Sequence, residues 1–356
     1  MIEAVGMSAQ VLYEVYPEGD AAVRVCAHVR PSSIPTILDR APLQTSGDVA
    51  VPRLEDVSFQ DGYGVVVADR ILVPGRECFR LTYRVILPEW QGPASMLHGF
   101  AQNGSLFINT SVVLFVVAGD ADYALSCRGH AAMMPAMDRD AMQEGYLALG
   151  RTDKRSYSLD ECMVHCLCEP GAPWSFDALG EALRRICSGL IRHLGPPTFS
   201  EYSFFFFPAA ELSPNRPGAG YALPAAALVA LPVRGISLMA PQNLWLLAHE
   251  WAHHWLGFQI RSTERNNGWI FEGLASYIAA VVVEQEELAP QGYTQQLCAL
   301  SLNSLKGDLD QSRKEHHQGF LRAMKLDQEL RSKGGALASE LRRDPSQFLR
   351  SLVKIT

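Results

Sequence analysis

The sequence predicts an α+β protein in two parts, a β-rich N-terminal domain over residues 1–170 and a mainly helical domain with a small sheet over 171–356. Three observations carry this. Short alternating or continuously apolar runs fill the chain up to residue 168, the pattern of strands. After Pro170 the apolar positions take the helical period and dominate to the end. The length of 356 residues, against roughly 100–200 residues per domain, suggests two cores.

Taken in order, QVLYEVYPEGDAAVRVCAHV reads as a hairpin turning at Pro-Glu-Gly-Asp, and GYGVVVA, FRLTYRVIL and SLFINTSVVLFVVAG read as further strands. In CMVHCLC, His165 stands among Cys162, Cys166 and Cys168. The segment lacks the paired Cys-x-x-Cys spacing of structural zinc sites, which favours a buried strand over a metal site. FDALGEALRRICSGLIRHLG has helical spacing and a glycine stop. YSFFFFP and AAALVAL, bounded by Pro and Gly, suit buried strands of a small sheet. Between them the loop LSPNRPGAGYALP, residues 212–224, leads toward the stretch LLAHEWAHHWLG, residues 246–257.

Composition narrows the function classes. With 48% hydrophobic and 19% charged residues the chain has the material for a folded core. A net charge of −7, spread along the sequence, gives no electrostatic case for nucleic acid or an anionic membrane as partner. The longest apolar windows fall short of the roughly 20 residues a spanning helix needs, so no membrane association is expected. The start MIEAVGMSAQ lacks the features of a secretion signal, which predicts a cytoplasmic protein. The eight cysteines are then expected to be reduced thiols.

The stretch 246–257 holds the chemistry. His249, Glu250 and His253 form HEWAH, an HExxH pattern. A helix puts residues i and i+4 on one face, so both imidazoles point at one spot. Glu250 projects beside them, where it can take a proton from a metal-bound water. A catalytic zinc uses three protein ligands and keeps a position open. Glu272, in GWIFEGLASY, is the candidate third ligand, with 18 residues (254 to 271) intervening after His253.

HEWAHHWLG followed by WIFEGLASY resembles the HExxHxWxG and WxxEGxA blocks of the aminopeptidase N and leukotriene hydrolase type of zinc metallopeptidases, the gluzincins, and the spacing to the glutamate is similar as well. SKGGALASELRRDPSQFLRSL, from Ser332, resembles that family's KGA block. The resemblance implies a β-rich N-terminal domain, a thermolysin-like catalytic domain after it, and a short, divergent member with no further helical domain. It implies Zn2+ on His249, His253 and Glu272, with Glu250 as general base and proton donor. Trp255 and Gly257 would pack the helix, and His254 would be polar packing or a neighbour of the ligands.

Two departures accompany the resemblance. Family aminopeptidases hold the substrate amine with a glutamate in a Gly-x-Met-Glu-Asn block, and here AGYALPAAALVAL has Ala222 at that place. Losing such a charge partner costs on the order of 2–5 kcal/mol, which argues against broad aminopeptidase activity. Glu201 or Glu211 are the nearby anionic alternatives. The family's oxyanion tyrosine is missing too, since no tyrosine follows Tyr293 and Arg331 falls at its place. Arg331 would substitute, or His316, His317 or Tyr293 would swing in, or turnover would be slow. The expected function is a zinc metallohydrolase of a peptide or small amide substrate, a specialised peptidase. The alternatives are a zinc Lewis-acid enzyme on a biosynthetic intermediate (epoxide opening or cyclisation) and a non-catalytic peptide-binding relative.

Overall fold

The computed structural model describes residues 9–31, 36–39, 50–61, 64–67, 70–74, 78–118, 121–133, 144–159, 162–174, 176–209, 218–232, 237–259, 268–307, 309 and 311–353. Its first part is built on the expected hairpin. Ala9–Pro17 and Ala22–Arg30 pair antiparallel with Val15 opposite Val25. The turn closes through the Glu18 N–H donating to the Ala22 carbonyl at 2.8 Å, with Gly19 at φ 71°, a value that suits glycine. Strict alternation buries Ala9, Val11, Tyr13 and Val15 on one face. These side chains join Leu81, Tyr83 and Val85 in the core of a five-stranded sheet.

The second part is organised by another five-stranded sheet. We label its strands β1 (Asp153–Leu159), β2 (Cys162–Cys168), β3 (Glu201–Ala209), β4 (Ala219–Leu223) and β5 (Ala226–Pro232). The spatial order is β1-β2-β3-β5-β4. The strands β2, β3 and β5 run parallel, while β4 lies antiparallel to β5 on the edge. The division expected at residue 170 tracked a change of composition; strand pairing draws residues 153–168 into the second sheet, because β2 hydrogen-bonds directly to β3. CMVHCLC is that buried strand.

Both faces of this sheet are covered, which explains its unbroken apolar runs. Cys166, Phe204, Phe206 and Val229 face the helices, whereas Leu167, Phe205, Phe207 and Leu228 pack on Phe100, Phe107 and Tyr146. The helices are α1 (Leu179–Leu194), α2 (Pro241–His253), α3 (Gly268–Gln285), α4 (Tyr293–Ser304), α5 (Gln311–Ser332), α6 (Leu337–Arg343) and α7 (Pro345–Val353). Helix α1 stops at Gly195, φ 90°, as the sequence pattern predicts. Among the described residues, no helix is long and apolar enough to cross a membrane. The molecule is an α+β protein, mostly β before residue 150 and helices on a small sheet after it.

Candidate metal centre and its cleft

Helix α2 begins with Pro241 at its first turn, where a missing N–H costs nothing. It runs through HEWAH and continues as a π-helical stretch, His254–Gln259. Such widened turns recur at functional sites. The helix is anchored on its far side. Trp251 is fully buried against Tyr202 and Phe204, and the Tyr202 hydroxyl donates to the Glu250 main-chain carbonyl at 3.3 Å. Trp255 donates from Nε1 to the Gly195 carbonyl at 3.1 Å.

The near face converges. Nε2 of His249 lies 3.1 Å from Nε2 of His253, and Glu272 Oε2, from the first turns of α3, lies 3.5 Å from each. Two donors bound at about 2.0–2.2 Å to one tetrahedral ion sit roughly 3.3–3.6 Å apart. The three separations, 3.1 and 3.5 Å, lie within a few tenths of an ångström of that span, and the imidazole and carboxylate donors suit zinc. Two carboxylates compete for the third place. Ligand atoms of His249, Glu250 and His253 also fall within 4.8 Å of one another, but Glu250 Oε1 is 3.8 Å from His249 Nε2 and its carboxylate is pressed against Gly220 of β4. Glu272 is equidistant from both imidazoles and Glu250 is set aside.

Burial and charge sort the protonation states. Burial pushes Glu250 up to about 8, with Glu272 adding and His253 opposing. Burial also pushes His249 down to about 4. Burial would raise Glu272, yet hydrogen bonds from His249, His253 and His316 hold it well below the usual carboxylate range.

Two neighbours lie four residues from these groups. Trp245, one turn before His249, stacks on that ring with centroids 5.5 Å apart. Ser276, one turn after Glu272, places Oγ 3.2 Å from His249 Nδ1 and 3.2 Å from His316 Nε2. His316 arrives from α5, which crosses α3 where Gly273 meets the Gly319 backbone with no room for a Cβ. Its Nδ1 lies 3.5 Å from Glu272 Oε2. The walls complete a cleft of about 490 Å³ lined by Gly218 just before β4, by β4 residues Gly220, Tyr221 and Ala222, by Trp245 and Leu246, and by His249, Glu250, His253, Glu272 and His316.

No protein-family model and no curated protein matches the sequence. Solved structures do match. An aminopeptidase N family protein of Idiomarina loihiensis superposes with a TM-score of 0.70 at 13% identity, covering 93% of this chain and 69% of that one. A variant of an M1 zinc metallopeptidase of Deinococcus radiodurans gives 0.59 at 15% identity, over 97% and 86% of the two chains. A variant bound to the substrate Tyr-Ser-Ala gives 0.53 at 18%, over 98% and 86%. The chain has the M1 zinc metallopeptidase fold.

Within this M1 fold the structure brings His249, Glu250, His253 and Glu272 into one cleft and leaves Arg331 out. Arg331 Nε donates to Asp327 Oδ2 at 2.8 Å, and the side chain lines a separate cavity of about 390 Å³ with Tyr277, Glu284 and Cys298. The physical reason is helical rise: Arg331 stands 15 positions (331 minus 316) after His316 on α5, roughly 22 Å further along. Of the alternatives, His317 turns to Ser301 Oγ at 3.2 Å, and neither it nor Tyr293 lines the cleft. Ala222 does line it, on the M1 edge strand. Glu201 sits 3.7 Å from His165 and is 71% exposed, outside the cleft; Glu211 lies outside the described residues. His254 packs edge-on against Phe199 at 3.9 Å, away from the cleft. Trp245, Ser276 and Tyr221 were not singled out in sequence, although the first two stand at four-residue spacing from the candidate ligands.

Proposed function

We propose that this chain is a zinc-dependent hydrolase of peptide or small amide bonds, with His249, His253 and Glu272 as the metal ligands and Glu250 as the base. The observation that carries the reading is the convergence of His249 Nε2, His253 Nε2 and Glu272 Oε2 at 3.1–3.5 Å beside a separately held carboxylate. Zinc, when bound, supplies a Lewis acid that polarises a carbonyl and acidifies water.

The protein supplies the rest. Glu250, raised by burial to about 8 and pulled down again by a neighbouring dication, takes the proton of the attacking water on a carboxylate oxygen. It then returns that proton to the departing nitrogen. Trp245 and Ser276 fix the His249 ring from two sides, the orientation such ligands need. The edge strand β4 offers main-chain groups beside the cleft, a surface on which an extended peptide can add as a strand.

Among the described residues, the carboxylates lining the cleft are Glu250 and Glu272, both taken by the metal and the proton transfer. A substrate ammonium then meets no third carboxylate among the described lining residues, which supports a specialised peptidase acting on blocked or unusual N-termini. Elemental analysis of the wild type and Glu272→Ala tests the centre, and turnover of Tyr-Ser-Ala against its N-acetylated form tests the specificity. One zinc per chain, lost in the variant, with the acetylated peptide preferred, supports the proposal. Zinc binding indifferent to Glu272 sinks it. Tight zinc with no peptide cleaved favours the Lewis-acid reading on a non-peptide substrate.

A further inference from the structure

The inference concerns Ser276, whose hydroxyl is fully buried between two imidazoles, 3.2 Å from His249 Nδ1 and 3.2 Å from His316 Nε2. A serine hydroxyl has one proton to give and lone pairs to accept with. His249 can offer Nε2 to a metal only through its lone pair, which leaves the ring proton on Nδ1. That proton is donated to Ser276 Oγ. The Ser276 proton is then free for its other neighbour, Nε2 of His316. With Nε2 accepting, His316 carries its own proton on Nδ1, the atom that faces the cleft 3.5 Å from Glu272 Oε2.

We infer that His316 is a hydrogen-bond donor to the substrate oxygen that gains negative charge, and that Ser276 sets the tautomer that makes it one. The inference rests on the metal reading of the cleft. It couples two events: occupation of His249 Nε2 fixes the direction of the Ser276 bond, and that direction arms His316. The protonated ring nitrogen separates this role from a fourth metal ligand, which the distances alone would allow. A ligand needs a bare Nδ1, and the relay places a proton there. His316 is partly exposed, with 31% of its side chain accessible, so a substrate oxygen can reach it. Ser276 touches no substrate and acts as a positioning residue.

The test is histidine-selective 15N labelling of the full chain, with long-range proton–nitrogen correlation to read which ring nitrogen is protonated before and after zinc loading. The His316 signals are assigned by their loss in His316→Gln. Zinc-loaded wild type is expected to show His316 protonated at Nδ1 and bare at Nε2. Ser276→Ala is expected to keep one zinc per chain and lose that single tautomer. With Tyr-Ser-Ala or its acetylated form as probe, His316→Ala is expected to lower kcat about 100- to 1000-fold with little change in KM. His316→Gln, which keeps an N–H, should recover part of the loss. A proton on Nε2 of zinc-loaded His316, or zinc lost on His316→Ala, overturns the inference, the second outcome making His316 a ligand. A wild type without zinc overturns this inference together with the metal centre, and elemental analysis separates that result from a failure of His316 alone.

Discussion

The backbone of Gly220 lies flush against the carboxylate of Glu250, so that a methyl group on Gly220 would overlap it. Gly218, just before strand β4, stands over Leu246 of helix α2 and Gly220 of β4 over Glu250, two residues along the chain for one turn of the helix. Glu250, the proposed base, is crowded by a strand that can approach this closely only because residue 220 has no side chain.

Gly220→Ala should therefore destabilise the protein by about 1–3 kcal/mol through overpacking. In a Glu250→Ala background the same change should be close to neutral, because the atoms it strikes are gone. A double-mutant cycle by denaturant unfolding reads the coupling. Equal costs in both backgrounds would mean that Glu250 is not what Gly220 accommodates.

The two carboxylates of the cleft should separate by variant. Glu272→Ala should lose zinc, while Glu250→Gln should retain it and lose turnover by roughly 100- to 10,000-fold. Zinc should also raise the melting temperature of the wild type and leave that of Glu272→Ala where it was, since a ligand stabilises only the state that binds it. Zinc lost in Glu250→Gln and kept in Glu272→Ala would reverse the assignment of base and ligand.

Asp327 predicts an acid-side loss of stability. Burial raises its pKa, but the Leu337 N–H, the Tyr277 hydroxyl and Arg331 outweigh burial and the net shift is downward. With the folded value below the unfolded one, near 3.9, the contribution is complete above about pH 4 and disappears as pH falls through the folded value. Asp327→Asn should flatten unfolding free energy against pH in that window. Arg331→Ala, which removes the 57% exposed partner, should cost no more than about 1 kcal/mol and leave zinc content unchanged. A large loss of zinc in that variant would return Arg331 to the site.

His130 acts in the next window up. Its Nε2 is 2.8 Å from Ser203 Oγ on β3, and burial first, then Lys154 and His165, push it down to about 3. Between about pH 6.5 and pH 3 the unfolded chain takes up a proton that the folded chain refuses, so stability falls as pH falls. His130→Gln should remove that part of the slope. An unchanged slope in pH-dependent denaturation would show that His130 is protonated in the fold.

Much of the site was legible because it is local. HEWAH needs only a helix to aim two imidazoles at one point, and Pro241 and the apolar run around it fix that helix. The hairpin at Pro17 to Asp20 and the stop at Gly195 were likewise written in neighbouring residues. The joining of residues 153–168 to the second sheet was not, since β2 and β3 are parallel partners separated by a whole helix, and no short window of sequence reports a parallel pairing. Arg331 and His316 show the same limit. The resemblance put Arg331 at the block position and left His316 as an alternative, whereas the Gly273–Gly319 crossing of α3 and α5 brings His316 to the cleft.

By itself the sequence determined the passage from a β-rich to a helical part and singled out the candidate ligands His249, His253 and Glu272 with Glu250 beside them, because periodicity, turn residues and ligand spacing act over a few positions. The tertiary structure alone decided which carboxylate faces both imidazoles, which histidine joins them through Ser276 and which strand crowds Glu250. Those depend on contacts between elements far apart in the chain, where backbone approach and shared protons set the outcome.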